Sequence, residues 1–267
     1  MKRLAERTGE AILEFLTWFG QVTRLAGEVV GSIVVGRVRP RLVLVQIVAI
    51  GFGSQLVVVI AGGFTGAVFA AQAYFKFSEL GLGSATGPVV SLAMCRELGP
   101  VLAGLMVAGR VGAAMTAEIS TMRVSEQIDA LRSMGVDPVD YLVVPRAVAI
   151  VVSMPILVGE AIAVGILAAD VLTVRGFGLP EAWFWNQLEA HTGVGDVAVG
   201  LIKGLVFGVL IVLIACRQGL TAEGGAVGVG RATTRAVVYA SLAILISNLF
   251  LTLLLNYWFP LDALTFQ

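Results

Sequence analysis

Histidine, cysteine, lysine and charge are all scarce in this sequence. One histidine, two cysteines and 13% charged residues stand among 267 positions, and that charge fraction is about half the ~25% of soluble domains. The three lysines are Lys2, Lys76 and Lys203. None falls in G-x-x-x-x-G-K-[ST], which excludes a phosphate loop of that kind. No G-x-S-x-G is present, and without a suitably placed histidine no Ser-His-Asp triad can form. Cys95 and Cys216 lie in apolar runs and read as small buried hydrophobes, and two thiols with one imidazole make no metal cage. The 18 basic and 18 acidic residues cancel, so no phosphate-tracking surface for nucleic acid is expected. The chain is therefore expected to be no enzyme and to hold no metal or cofactor of its own. The first 30 residues carry charges throughout and show no compact apolar signal core, so the first span is expected to target the chain.

What is abundant is apolar surface. Apolar residues reach 58% and mean hydropathy is +0.93, more than a water-soluble fold can bury. Roughly 20 apolar residues cross the ~30 Å hydrocarbon core, and lipid-spanning backbone must pair its own polar groups. The fold class expected is all-α and polytopic, with five spans near 42–75, 88–119, 141–169, 197–216 and 236–259. The first stretch exceeds one straight crossing and is rich in glycine, so it tilts, bends or partly re-enters. Its Gly62…Gly66 spacing favours close helix contact. Tyr257-Trp258 closes the last stretch as an interfacial anchor.

Segments 1–41, 110–146 and 217–235 hold 14 of the 18 basic residues, which places them and the N-terminus in the cytoplasm. Residues 1–41 read as an amphipathic helix and a basic linker. Glu6, Glu10, Glu14, Thr17, Gln21, Arg24 and Glu28 recur on one face, opposite Ile12, Phe15, Leu16, Phe19, Val22, Ala26 and Val29. Such a helix lies in the membrane interface or packs on a partner. A second short amphipathic segment occupies 121–134. Val124, Ile128, Leu131 and Met134 share one face, Glu126, Asp129 and Ser133 the other, with Arg123 and Arg132 flanking. Gly135 permits a left-handed stop, and Asp137-Pro138 starts the next helix. The segment either rests on headgroups or docks a cytosolic protein. Outside, Pro180–His191 is a further short amphipathic piece, and His191 receives no role.

Ionisable groups at membrane depth mark paired or functional sites. At 1.5 Å per residue, Arg96 and Glu97 sit roughly 12–14 Å below the outer end of their span, and Lys203 roughly 10 Å below that of its own. A Glu97–Lys203 pair with Arg96 beside it is the expectation, either as a structural ion pair or as a polar site in an outward-facing cavity. Arg110 and Glu118 lie nearer the cytoplasmic face and are expected to orient their span.

These motifs together resemble the MlaE-type permeases, membrane subunits of ABC lipid transporters. The resemblance rests on Gly63-Phe64-Thr65-Gly66, Gln72, Tyr74, Arg96-Glu97-Leu98-Gly99-Pro100, Ala108-Gly109-Arg110, Thr116-Ala117-Glu118-Ile119 and Met122-Arg123-Val124-Ser125-Glu126-Gln127. Val136-Asp137-Pro138, Pro145-Arg146 and Arg231-Ala232-Thr233-Thr234-Arg235 complete it. It implies a permease domain over 42–267, a multi-pass bacterial inner-membrane protein and a phospholipid substrate. It also implies a second copy of the chain, a cytosolic ATPase that binds ATP and magnesium, a periplasmic MCE-domain ring and a small STAS-domain protein. By the same resemblance, 121–134 is the coupling helix, with Arg123, Glu126, Asp129 and Arg132 facing the ATPase. Phe69, Tyr74, Phe77, Arg96, Glu97 and Lys203 would line a lipid cavity. Asn248 stands where some relatives carry an acid. Two rival readings from the residues are an ion-coupled secondary transporter using Glu97 and a non-transporting anchor for a complex.

Overall fold

A computed structural model describes residues 2–259, excluding the side chains of residues 2–12, 14 and 15. The Ile12 and Phe15 side chains of the expected amphipathic face therefore lie outside the described set. Eight helical units follow one another, with no strand among the described residues. They are α1 (Lys2–Val34), α2 (Pro40–Glu79), α3 (Gly83–Val124), α4 (Gln127–Ser133), α5 (Val139–Gly176), α6 (Glu181–His191), α7 (Val194–Leu220) and α8 (Gly225–Trp258). Five of them, α2, α3, α5, α7 and α8, are long and apolar enough to cross a membrane. The protein is an all-α polytopic membrane protein.

The order of packing follows side-chain size. α5 is the hub, with α2 on one side and α7 on another, and α8 lies across α7 and α3. The α2–α5 contact is close because small residues oppose one another in register. A Cβ on Gly62 would lie 2.7 Å from the Ala161 carbonyl, and one on Gly66 would fall into the Gly165 backbone. Gly62-x-x-x-Gly66 thus meets Ala161-x-x-x-Gly165, the kind of packing small residues allow in lipid. α2 runs from Pro40 to Glu79 as one helix with a single π turn, so the long apolar stretch does not re-enter.

Three of the five long helices carry π turns: α2 at Val48–Phe52, α3 at Met94–Leu98 and Ala108–Gly112, and α5 at Val139–Val143 and Leu172–Gly176. Each adds a residue to one turn and rotates the side chains beyond it.

α1 lies against the bundle along Leu25 and Val29, both buried, with Trp18, Val22 and Ala26 packed beside them. Leu13, Leu16 and Phe19 are exposed, so a second apolar strip is free to enter lipid. Ser32 and Arg37 bond the Asp140 carboxylate, fastening the end of α1 to α5. The loop after α3 differs from expectation. Residues 121–124 finish α3, and the short helix is α4 alone. Glu126 sits between them at φ 59°, which breaks the helix in two. Gly135 takes the left-handed conformation, and the Asp137 carboxylate accepts the Val139 N–H at 2.8 Å, as expected for that start.

Candidate functional site

The polar centre of the molecule is built on the π turn Met94–Leu98 of α3. Its cause is local. Pro100 has no N–H, so the Arg96 carbonyl four residues earlier lacks its helical donor. Lys203 of α7 supplies one, its Nζ donating to that carbonyl at 2.7 Å. The same ammonium donates to Glu97 Oε1 at 2.8 Å and to Thr252 Oγ1 at 2.8 Å. Its three protons are therefore all engaged, and the side chain is fully enclosed.

Glu97 is the open member, its side chain 38% exposed. Its second oxygen, Oε2, accepts from Asn248 Nδ2 at 2.8 Å. The Thr252 hydroxyl lies 2.9 Å from Glu97 Oε1 and 2.8 Å from the Asn248 carbonyl, and its single proton serves one of them at a time. Asn248 Oδ1 is buried with no partner among the described residues.

Arg96 points away from Glu97. Its Nε donates to Asp196 Oδ1 at 2.5 Å, and its terminal nitrogens reach Asn256 Oδ1 at 3.3 Å and the Phe259 carbonyl at 3.0 Å. Asp196 does double duty, because its Oδ2 accepts the Gly193 N–H at 2.8 Å and caps α7. Two cations and two anions thus interlock α3, α7 and α8 with no net charge.

The structure brings Glu97 and Lys203 together and places Arg96 beside them. It does not put the aromatic residues there. Phe69 packs against Ala70, Val90, Met94, Ala169 and Phe184. Tyr74 stacks on Phe177 with centroids 4.6 Å apart, and its hydroxyl reaches the Phe177 carbonyl at 3.4 Å. Phe77 lies half-buried two turns from Phe69 on α2. α2 packs on α5 and α3, whereas the charged centre faces α7 and α8, so one chain does not gather all six residues around a single space. Nor does Lys203 face open space as expected, for Glu97, Thr252 and the Arg96 carbonyl surround it. Asp196, Thr252 and Asn256 belong to the centre although sequence reasoning passed over them as a loop acid and ordinary span residues.

Two further charges hold the opposite end of α3. Arg110 Nη1 donates to Ser54 Oγ on α2 at 3.0 Å. Glu118 pairs with the buried Arg146 of α5 at 2.8 Å. On the loop, the Arg123 guanidinium holds both Asp129 oxygens at 2.9 Å, and Arg132 adds a contact at 3.3 Å. Ile128 is fully buried and pins α4 down, while Glu126, Asp129 and Arg132 are exposed.

Fold and site define a class: a multi-pass helical membrane protein with a neutralised charge cluster inside its bundle and a short charged helix on one end. The Permease MlaE family profile matches residues 43–254. The chain is 44% identical over 241 residues to a probable ABC transporter permease protein of Synechocystis sp., covering 89% of this chain and 92% of that one. It is 42% identical over 249 residues to a probable ABC transporter permease protein of Rickettsia conorii, covering 93% and 96%. It is also 38% identical over 236 residues to the chloroplastic protein TRIGALACTOSYLDIACYLGLYCEROL 1 of Arabidopsis thaliana, covering 88% and 67%. The chain belongs to the MlaE permease family and is a permease of the ABC transporter class.

Proposed function

We propose that this permease moves phospholipid between the inner membrane and a periplasmic MCE-type carrier, energised by a separate cytosolic ATPase. The observation that carries the reading is the neutral charge cluster at Glu97 and Lys203. Burying four ionisable groups costs several kcal/mol each unless they are paired. Here they join three helices and leave one carboxylate open, which suits passage of an amphiphile better than a purely lipid-facing bundle would. The Arabidopsis relative carries a diacylglycerol glycolipid in its name, which supports a lipid as cargo.

The orientation proposed has the N-terminus, α4 and the α7–α8 turn in the cytoplasm, following the lysine and arginine bias. The ATPase would then dock on α4 through Arg123, Glu126, Asp129 and Arg132. ATP and magnesium would bind to that subunit. A second copy of the chain would complete the lipid cavity, with Phe69, Tyr74 and Phe77 contributing its apolar surface. An MCE ring and a STAS-domain protein would complete the assembly.

The test is reconstitution of the chain with its co-expressed ATPase and carrier in proteoliposomes holding fluorescent phospholipid. ATP-dependent transfer of lipid to the carrier is expected. Proton uptake without any ATPase would instead establish the ion-coupled alternative. Assembly of the complex without lipid transfer would establish the anchor alternative.

A further inference from the structure

We infer that the lateral groove between α1, α7 and α8 is a binding site for one anionic phospholipid, drawn from the leaflet in which α1 lies. Naming that leaflet cytoplasmic rests on the orientation proposed above; the binding itself does not.

The groove is about 1110 Å³, above the roughly 300–1,000 Å³ of pockets for drug-sized ligands. Along α8 it runs from Arg235 to Leu251. At 1.5 Å per residue that is about 24 Å, against roughly 20–22 Å for one leaflet with its headgroups. Its wall changes character along this length. Gln21, Arg217 and Arg235 line one part, and Leu242, Ile246 and Phe250 another. The last three are more than half exposed, so the groove opens sideways to the bilayer. α1 packs on α7 and α5 and leaves a gap before α8. Trp18 and Tyr239 bridge that gap edge to face, with ring centroids 5.5 Å apart.

Charge selects the occupant. Among the described side chains no acidic one lines the groove, while two arginines do. Among the other described cations, Lys203 is paired with Glu97, Arg96 with Asp196, Arg146 with Glu118, and Arg123 and Arg132 with Asp129. Arg217 and Arg235 have no ion pair among the described residues. Arg217 is instead oriented by a hydrogen bond to Gln21 Oε1 and by the Trp18 ring, 5.7 Å from its guanidinium carbon. Its Nε is buried without a described partner. Two guanidinium groups at the polar part of an apolar slot match a phosphate above two acyl chains. The Glu97 centre cannot serve that purpose, since its cations are already neutralised. The slot ends at Ser247 and Leu251, each next in the chain to Asn248 or Thr252 of that centre, so an acyl chain lying in it would reach the neighbourhood of Glu97.

The test uses the full chain in phosphatidylcholine nanodiscs carrying a photoactivatable phosphatidylglycerol with its diazirine on the acyl chain. Crosslinked residues are read by mass spectrometry. Labelling of α8 between Leu242 and Phe250 should exceed labelling around Phe64, which faces outward on α2. Arg217→Gln with Arg235→Gln should lower the α8 labelling by about fivefold per arginine at low salt and leave Phe64 unchanged. If that pair does not fold, Ile246→Trp fills the slot with the charges intact and should abolish α8 labelling by itself. Equal labelling at both places, or α8 labelling that ignores these substitutions, overturns the site. A disulfide between two copies through Leu242→Cys, with lipid labelling absent, would give the groove to a second copy and overturn it too. The assay contains no ATPase and no carrier, so a chain that binds lipid here but transports none would refute the proposed function and leave this site standing.

Discussion

Lys203 donates to the backbone carbonyl of Arg96 at 2.7 Å, the one carbonyl in that turn that Pro100 leaves without a helical donor. A proline on one helix has thus created the socket for an ammonium on another. The same ammonium then fixes Glu97, so backbone irregularity and charge pairing are one feature. Were that carbonyl taken by a backbone N–H, the enclosed ammonium would lack an acceptor for one of its three protons.

Removal of one partner from the centre should cost far more than removal of both. Lys203→Met strands Glu97 and the Arg96 carbonyl, and breaking such a pair typically costs about 3–5 kcal/mol. Adding Glu97→Gln to Lys203→Met should recover a good part of that loss, because the amide keeps Asn248 and Thr252 within reach without a stranded charge. Thermal unfolding of the four proteins in one detergent gives the cycle. Strictly additive losses would show that the two groups do not interact.

The α2–α5 seam makes a sharper steric prediction. Gly66→Ala would drive a methyl into the Gly165 backbone, and Gly62→Ala one into Ala161. Each should destabilise by roughly 1–3 kcal/mol. Gly109→Ala, where nothing lies within 4 Å of the added carbon, should be neutral or gain up to about 1 kcal/mol from helix propensity. Unfolding midpoints of the three variants decide it; equal effects at all three positions would refute the seam.

The sequence made parts of this legible for physical reasons. Apolar length and charge scarcity announce five long helices, because lipid admits few ways of pairing backbone polar groups. Depth along a helix is a linear count, which is why Glu97 and Lys203 could be matched across 106 positions. The π turns were not legible, since one extra residue per turn leaves the hydrophobic pattern intact while rotating the side chains beyond it. Asp196 was hidden because an acid at a span end looks like an ordinary loop charge, although its reach to Arg96 and its cap on Gly193 bury it. Thr252 and Asn256 carry no charge to single them out. Phe69, Tyr74 and Phe77 were grouped with the charges by family likeness alone, and within one chain α2 turns them toward α5 and α6.

The two apolar strips of α1 should respond in opposite ways to a buried charge. Leu25 is 6% exposed and Phe19 is 58% exposed. Leu25→Asp puts an unpaired carboxylate against the bundle and should release α1, at a cost of several kcal/mol. Phe19→Asp should leave the fold intact and only loosen the helix from lipid. Cysteine labelling along residues 16–30 in proteoliposomes distinguishes them: Leu25→Asp opens the whole segment to a water-soluble reagent, Phe19→Asp only its first turns. Water access at Leu16 and Phe19 in the unmodified protein would show that this strip does not enter the membrane.

α4 is anchored by Ile128, and its charged side is exposed, with Asp129 held between Arg123 and Arg132. Exposed pairs of this kind contribute roughly 0–1 kcal/mol to folding, whereas surface charge sets partner choice and encounter. Glu126→Lys with Asp129→Lys should therefore leave the unfolding midpoint nearly unchanged. The double reversal places two cations beside Arg123 and Arg132, and a partner surface matched to a mixed patch would meet four positive groups. Loss of the co-expressed ATPase from an affinity pull-down is expected, with retention of the other partners. Ile128→Asp should behave differently, unseating α4 and lowering the midpoint as well. If the doubly reversed protein keeps its full complement of ATPase, α4 is not the docking surface, whatever its exposure.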